Sequence, residues 1–549
     1  MLLVGAFRTS PYGARSAWTL RGISNVFSDP NTFWAAVGSL VYAALVTLLG
    51  IVGGLYFATL VTRLKVFGVA IIVPMMIVLA ATPRLFYALA WGMVGNPNSG
   101  LIGNALRPIG LGNIASVLTV YSWLGMIFVS GLKVTALSFF LLYGAVSRAD
   151  RSIEDAAVMS GSSRLGAFFR ITIPVLTPAI LVVAMLLFIE GIQVFDYPAV
   201  LGAPAGVNTL SLRVSDYLLK SLEPDWSAAG ALSLVSVILV GILLLIQRMM
   251  TRGRQFTTVG GKAAQETTTD VGAWAPLITL SIGIFLVVAL VLPIVQIIWG
   301  SFQSFFGVYG SLTLMHYEKL LGDPATVRTV VTTFAISIGG GAITVAVAFA
   351  MAYVMQRRSS GFLAWLVRFG SWIPATAPGI VLSLALVWSY LYTPILNKLY
   401  GTAWLMLAAL IVASIPIAVR ATEGMVAQIS PELEEAARIS GASPFVTALH
   451  ITARLCTPGL LAAWLLVALA ISGMLDVPLL LQTTGSQTVA TQAYSLFSSG
   501  AIAEAAALYN CFIILVVAFC GSAALIGLTV RAFAARAVPT TENQLRTAA

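Results

Sequence analysis

Eleven continuous apolar stretches constrain this 549-residue chain more than any other feature. They cover roughly residues 36–61, 66–91, 117–146, 173–193 and 227–250, then 274–300, 329–355, 364–391, 403–421, 457–475 and 503–530. A bilayer core takes about 20 apolar residues per helix. Barrel strands would alternate polar and apolar residues; these runs do not, so they read as helices. The chain is 59% hydrophobic and 9% charged, whereas a soluble domain carries about 25% charged residues. The expected fold class is an all-α polytopic membrane protein with about eleven transmembrane helices in two pseudo-symmetric six-helix-type halves.

Lys and Arg orient the spans. Arg63 and Lys65 share one loop, and Arg148, Arg151, Arg164 and Arg170 another. Arg248, Arg252, Arg254 and Lys262 form a third group, and Arg357, Arg358 and Arg368 a fourth. Eleven spans place all of these on one side, the cytoplasmic one, together with Arg531 and Arg536. The net charge of +10 therefore reflects membrane topology rather than nucleic-acid binding. Cys456, Cys511 and Cys520 lie in apolar segments, with no disulfide framework or metal-ligand spacing. His316 and His450 are too few for a histidine metal site. The N-terminal residues do not read as a cleaved signal.

An internal repeat organises the chain. "AFRTSPYG" from Ala6 and "SFQSFFGVYG" from Ser301 lead to Asp29-Pro30 and Asp323-Pro324. In the second copy this stretch follows a complete apolar helix, 274–300; in the first only "MLLVG" precedes it. The expectation is that the first half lacks most of one helix, from an ancestor of twelve spans. The alternative is a natural eleven-span protein whose basic N-terminal tail, with Arg8, Arg15 and Arg21, lies outside. The first half is 1–250 and the second 273–549; residues 251–272, rich in Gly, Thr and charge, are a cytoplasmic linker. The halves run in the same direction, which suggests a pathway between them.

The repeat is sharpest in two polar loops. "EDAAVMSGSS" begins at Glu154 and "EEAARISGAS" at Glu434, an offset of 280. Asp155-Ala156-Ala157 aligns with Glu435-Ala436-Ala437, Gly161 with Gly441 and Pro178 with Pro458. Ser430-Pro431 reads as an N-cap with a first-turn proline, and Ser152 as the matching cap, with acids in the first turn. Each loop should form a short helix, a turn at glycine and a second short helix. An amphipathic connector explains one such loop; two at equivalent places suit a two-fold partner.

These residues carry a family resemblance. Glu-Ala-Ala, three residues, Gly, nine residues, Ile-x-Leu-Pro resembles the signature loop of binding-protein-dependent ABC importer permeases. The first copy ends "ITIP" at Pro174; the second ends "ITAR", with Arg454 in the proline position. The fused halves resemble the iron(III) permeases within that group. The resemblance implies a multi-pass protein of the bacterial inner membrane. It implies a dimer of ATPase subunits, bound inside through 148–172 and 430–452. It also implies a periplasmic or lipid-anchored substrate-binding protein outside, near 92–116, 194–226, 302–328 and 478–502. The implied coupling residues are Glu154, Asp155, Ala156, Ala157, Gly161, Glu434, Glu435, Ala436, Ala437 and Gly441. ATP and Mg would sit on the partner subunits, because no G-x-x-x-x-G-K-[S/T] occurs here. No residues present a case for catalysis, so the chain reads as a non-enzyme that binds no cofactor or metal itself.

Charges inside spans mark candidate pathway residues. They are Arg84, Lys133, Glu190, Asp196 and Asp476, the last two being mates at the offset of 280. The two acids could meet a cation, or could cap the chain before Pro198 and Pro478. Lys133 could pair with Glu190 or face an anionic cargo. Pro83 and Pro378 correspond at an offset of 295 and should kink their helices. The expected function is import of ferric iron. A phosphonate, thiamine or polyamine type of solute is the alternative within the class, and an ion-gradient-driven transporter the alternative outside it.

Overall fold

The computed structural model describes residues 1–10, 16–110, 112–150, 152–220, 223–251, 269–357, 361–483 and 485–537. Most of the expected linker, and Arg151, Arg252, Arg254, Lys262 and Arg358, lie outside them. The first half holds α1 (Pro30–Arg63), α2 (Val69–Ala81), α3 (Arg84–Val94), α4 (Trp123–Arg148), α5 (Ser152–Met159), α6 (Phe168–Gln193) and α7 (Trp226–Gln247). The second holds α8 (Gly272–Ser301), α9 (Pro324–Arg357), α10 (Phe362–Thr376), α11 (Gly379–Tyr392), α12 (Ala403–Ala427), α13 (Pro431–Ile439), α14 (Pro444–Ser472) and α15 (Ile502–Phe519).

Among the described residues nine helices are long and apolar enough to cross a membrane, or eleven if each bent pair is one span. All eleven expected stretches are helical. Two of them are not straight: α2 and α3 meet at 101°, and α10 and α11 at 114°. The bends fall at Pro83 and Pro378, as the paired prolines suggested, but they are full breaks rather than kinks. Among the described residues the strand content is a two-residue parallel pair, Leu64–Lys65 with Thr269–Asp270.

The repeated Asp-Pro pairs start the two 34-residue helices. Asp29 Oδ1 accepts from Asn31 N at 2.9 Å, and Asp323 Oδ1 from Ala325 N at 3.1 Å. Proline at the first helical position loses no bond, since that N–H would be unsatisfied anyway. Within each half the long helix packs against the next full span and the one after it, α1 on α4 and α6, and α9 on α12 and α14. Small residues permit the approach: a Cβ at Gly54 would lie 2.5 Å from Ser138 Oγ, and one at Gly341 3.1 Å from Ala468 N.

The halves also exchange their leading segments. α8 packs on α15 of its own half and also reaches across to α3, where a Cβ at Gly300 would lie 2.2 Å from Met93 Cε. The N-terminal turn Leu2–Ala6 packs on α7 and likewise reaches α11, where a Cβ at Gly5 would lie 2.9 Å from the Trp388 ring. Gly5 and Gly300 differ by 295 in number, and so do Met93 and Trp388. The exchange buries every side chain of α3 from Leu85 to Val94, and places both breaks at the junction of the halves.

Candidate functional site

The two polar loops have the same internal architecture. Glu154 accepts from Arg63 Nη1 and, at 2.7 Å, from Thr172 Oγ1. Glu434 accepts from Arg357 Nε at 2.9 Å and from Thr452 Oγ1 at 2.7 Å. Tyr353 donates a further bond to Glu434 at 3.0 Å. Each first-turn glutamate is thus clamped between the last residue of a long helix, Arg63 or Arg357, and the start of the returning span. Burial alone would raise the Glu434 carboxyl. The hydrogen bonds from Arg357, Thr452 and Tyr353 overcome that, and hold it below its ordinary value.

Gly161 and Gly441 end the first short helices at φ of +93° and +89°. Ser162 N donates to Ala157 O and Ala442 N to Ala437 O, both at 3.0 Å, the closing bond of a Schellman turn. Ser163 and Ser443 then cap the second short helices, accepting from Gly166 N and Val446 N. Ser430 caps α13 as expected, with Glu432 N at 3.3 Å. The first loop differs: Asp150 Oδ1, not Ser152, takes the leading N–H, from Ser152 N at 2.9 Å. Arg454 does not alter the exit of the second loop. Both loops leave through a π-helical turn, Phe168–Thr172 and Ala448–Ala453.

The clamp turns apolar residues outward. Met159 is 90% exposed and its mate Ile439 87%. Ile153 and Leu433, and Phe169 and Leu449, are exposed pairs at the same offset. Asp155 and Glu435 are also exposed. Matched apolar side chains on two charged helices form a surface suited to a protein partner.

The in-span charges gather at the breaks. Arg84 and Glu190 form an ion pair at 2.7 Å, with side chains 44% and 30% exposed. Glu190 does not pair with Lys133, as considered above, because Arg84 is nearer. Lys133, 9% exposed, instead donates to Leu79 O and, at 3.0 Å, to Ala80 O at the end of α2. Gln193, unmarked in the sequence, donates across the junction to Ala375 O at 2.8 Å. Arg420 lies 5.3 Å above the Trp372 ring and within electrostatic reach of Glu190.

Asp196 and Asp476 come within electrostatic reach of each other and of Arg84. Asp476 does not cap its short helix, which has no side-chain cap; it accepts from its neighbour Val477 N at 3.0 Å, and its carboxylate fills the space a side chain at Gly379 would need. Asp196 is 7% exposed, and its Oδ1 has no hydrogen-bond partner. Among the described residues no group of three or more His, Cys, Asp or Glu could hold a metal ion.

Residues 18–253 and 342–538 match the family of binding-protein-dependent transport system inner membrane components, and the chain belongs to that family. It is a multi-pass inner-membrane protein. It is 25% identical over 384 residues to the ferric transport system permease protein FbpB of Actinobacillus pleuropneumoniae, covering 69% of this chain and 54% of that one. It is 24% identical over 401 residues to the Fe(3+)-transport system permease protein FbpB 2 of Haemophilus influenzae, covering 68% and 71%. It is 26% identical over 214 residues to the trehalose/maltose transport system permease protein MalF of Thermococcus litoralis, covering 38% and 70%. The chain spans about half the length of the first of these.

Proposed function

We propose that this chain is the transmembrane permease subunit of an ATP-driven, binding-protein-dependent importer, and that ferric iron is its cargo. The observation that carries the permease reading is the duplicated clamp, Arg63–Glu154–Thr172 and Arg357–Glu434–Thr452. A clamp built twice presents two equally oriented helices to a two-fold partner. Met159 and Ile439 are its outward contacts. A dimer of ATPase subunits fits this surface. Its closure on ATP, with Mg, would move both loops together and bias the junction between two states.

The cargo would pass between the halves, past the Arg84–Glu190 pair. A substrate-binding protein would dock on the outer loops, which are braced alike in both halves. Asn25 donates to Asp225 at 3.1 Å in the first, and Lys319 to Glu504 at 2.7 Å in the second. Two of the relatives named above carry iron in their names, and Asp196 and Asp476 bring one hard oxygen donor from each half. A site with few ligands suits transit, since the ion must leave as well as enter.

A sugar-transport name among the relatives, with Arg84, Lys133 and Arg420 near the pathway, favours an uncharged or anionic solute as the second reading. The test is ATP-dependent uptake by the reconstituted complex, together with identification of the solute held by its external binding protein. Iron in that protein and radio-iron uptake are expected. A sugar or phosphonate there would replace the iron reading. Failure of the chain to retain any ATPase subunit would remove the permease reading.

A further inference from the structure

A helix that breaks inside a membrane leaves carbonyls without donors. Pro83 has no N–H to serve Leu79 O, and the 101° bend takes Arg84 N away from Ala80 O. The second break repeats this at Ala375 O, the equivalent of Ala80 O. A bare carbonyl in a low-dielectric interior is costly, so each break is held only where a donor reaches it.

Both donors come from the first half. Lys133 on α4 caps Leu79 O and Ala80 O in its own half. Gln193 on α6 crosses the junction to cap Ala375 O at 2.8 Å. The second half has Ala413 and Gly473 at the matching places, and neither can donate from a side chain. Gly473 instead lies against the first break, where a Cβ would come within 2.1 Å of Pro83 Cβ. Glu190 stands one helical turn before Gln193 on the same face of α6 and holds Arg84. Its mate is Ala470, and the mate of Arg84 is Gly379. The halves match at their cytoplasmic loops and differ at their breaks.

We propose that Lys133 and Gln193 are positioning residues that hold the transport pathway shut, by capping the carbonyls freed at the two helix breaks, and that the first half alone provides this latch. The proposal rests on the permease reading for the meaning of the pathway, but its geometry stands without a partner. Opening requires each break to straighten or separate, which withdraws its carbonyl from the donor. Gln193 links α6 of one half to the break of the other, so it registers relative movement of the halves directly.

The test is ion leak through the full chain in sealed liposomes, without other subunits, for the unchanged protein, K133M, Q193L, the double variant and K133R. Helicity and monodispersity check folding. Leak is expected to rise about tenfold or more in K133M and Q193L and further in the double variant, with K133R restoring the low value. Unchanged leak in a folded double variant overturns the proposal. If K133M does not fold, Q193L decides alone, because the equivalent position is already a glycine; unchanged leak there also overturns it. Binding of ATPase subunits by the unchanged protein is measured in parallel. Its absence counts against the permease reading and leaves the leak result to judge the latch.

Discussion

Thr452 Oγ1 donates to Glu434 Oε1 at 2.7 Å, joining the first helix of the second cytoplasmic loop to the foot of the returning span. Thr172 and Glu154 repeat the bond at the same length in the first loop. Three chain segments in each half thus converge on one carboxylate, which gives the loop a fixed angle to the bundle. A partner that grips the loop moves the span behind it.

Removing that carboxylate should loosen the loop. E434A leaves the Arg357 guanidinium, 16% exposed, without its partner. Breaking a buried ion pair costs about 3–5 kcal/mol. T452V removes one hydrogen bond to a charged group, a loss of about 1.5–3 kcal/mol. The expected order of protease sensitivity at the second loop is E434A above T452V above the unchanged protein, with ATPase co-purification falling in the same order. Equal sensitivity of all three would show the clamp to be idle.

Acidification should release the same loop. Glu434 is held below its ordinary value in the folded state. Its contribution is therefore complete above the unfolded value, about 4.3 for glutamate, and is lost as pH falls through the lower folded value. Loop protection measured by proteolysis should be flat from neutral pH to about 5 and should fall below about 4. E434Q should remove that dependence.

Substitution at the two turns separates strain from crowding. Gly161 and Gly441 have positive φ, and a Cβ at either would meet no heavy atom within 4 Å. G441A and G161A therefore cost only the backbone term, about 1–2 kcal/mol. Retention of the ATPase subunit should weaken by about tenfold while membrane insertion is unchanged, as a pull-down against insertion yield would report. Full retention in the double variant would count against the turns as part of the docking surface.

Glycines at the junction should respond differently from one another. A Cβ at Gly300 meets the flexible end of Met93, whereas one at Gly473 meets the ring of Pro83. G300A should be nearly neutral, and G473A should cost about 1–3 kcal/mol by overpacking. Thermal unfolding in detergent reads the difference. Equal losses would mean that Pro83 can give way as easily as a methionine.

The Arg84–Glu190 pair can be tested by exchange. R84E and E190R each replace the 2.7 Å ion pair by a pair of like charges, and each should lower uptake at least tenfold. The double exchange R84E/E190R restores opposite charges and should recover part of the activity. No recovery would argue that cargo, rather than the partner side chain, reads the sign at Arg84.

Much of this was legible in one dimension. Each of the eleven apolar runs became helical, two of them as bent pairs, because lipid leaves the backbone no other way to satisfy its polar groups. The offset of 280 located both loops and their glycines, since a turn at positive φ demands the same residue in each copy. The clamp partners were partly visible: Thr172 and Thr452 keep that offset, but Arg63 and Arg357 lie 294 apart and belong to a different helix. Gln193 carried no signal at all, because its mate is glycine and a neutral amide raises no alarm in an apolar run.

Sequence alone determined that the chain is helical, membrane-spanning, duplicated and equipped with two matched loops, because these follow from local composition and spacing. Only the tertiary structure decided which charges meet. Arg84 rather than Lys133 holds Glu190, and Lys133 and Gln193 serve carbonyls that became donorless only when α2 and α10 broke. A side chain's partner depends on the angle of a bend and the crossing of another half, and neither is written in the spacing of residues along one chain.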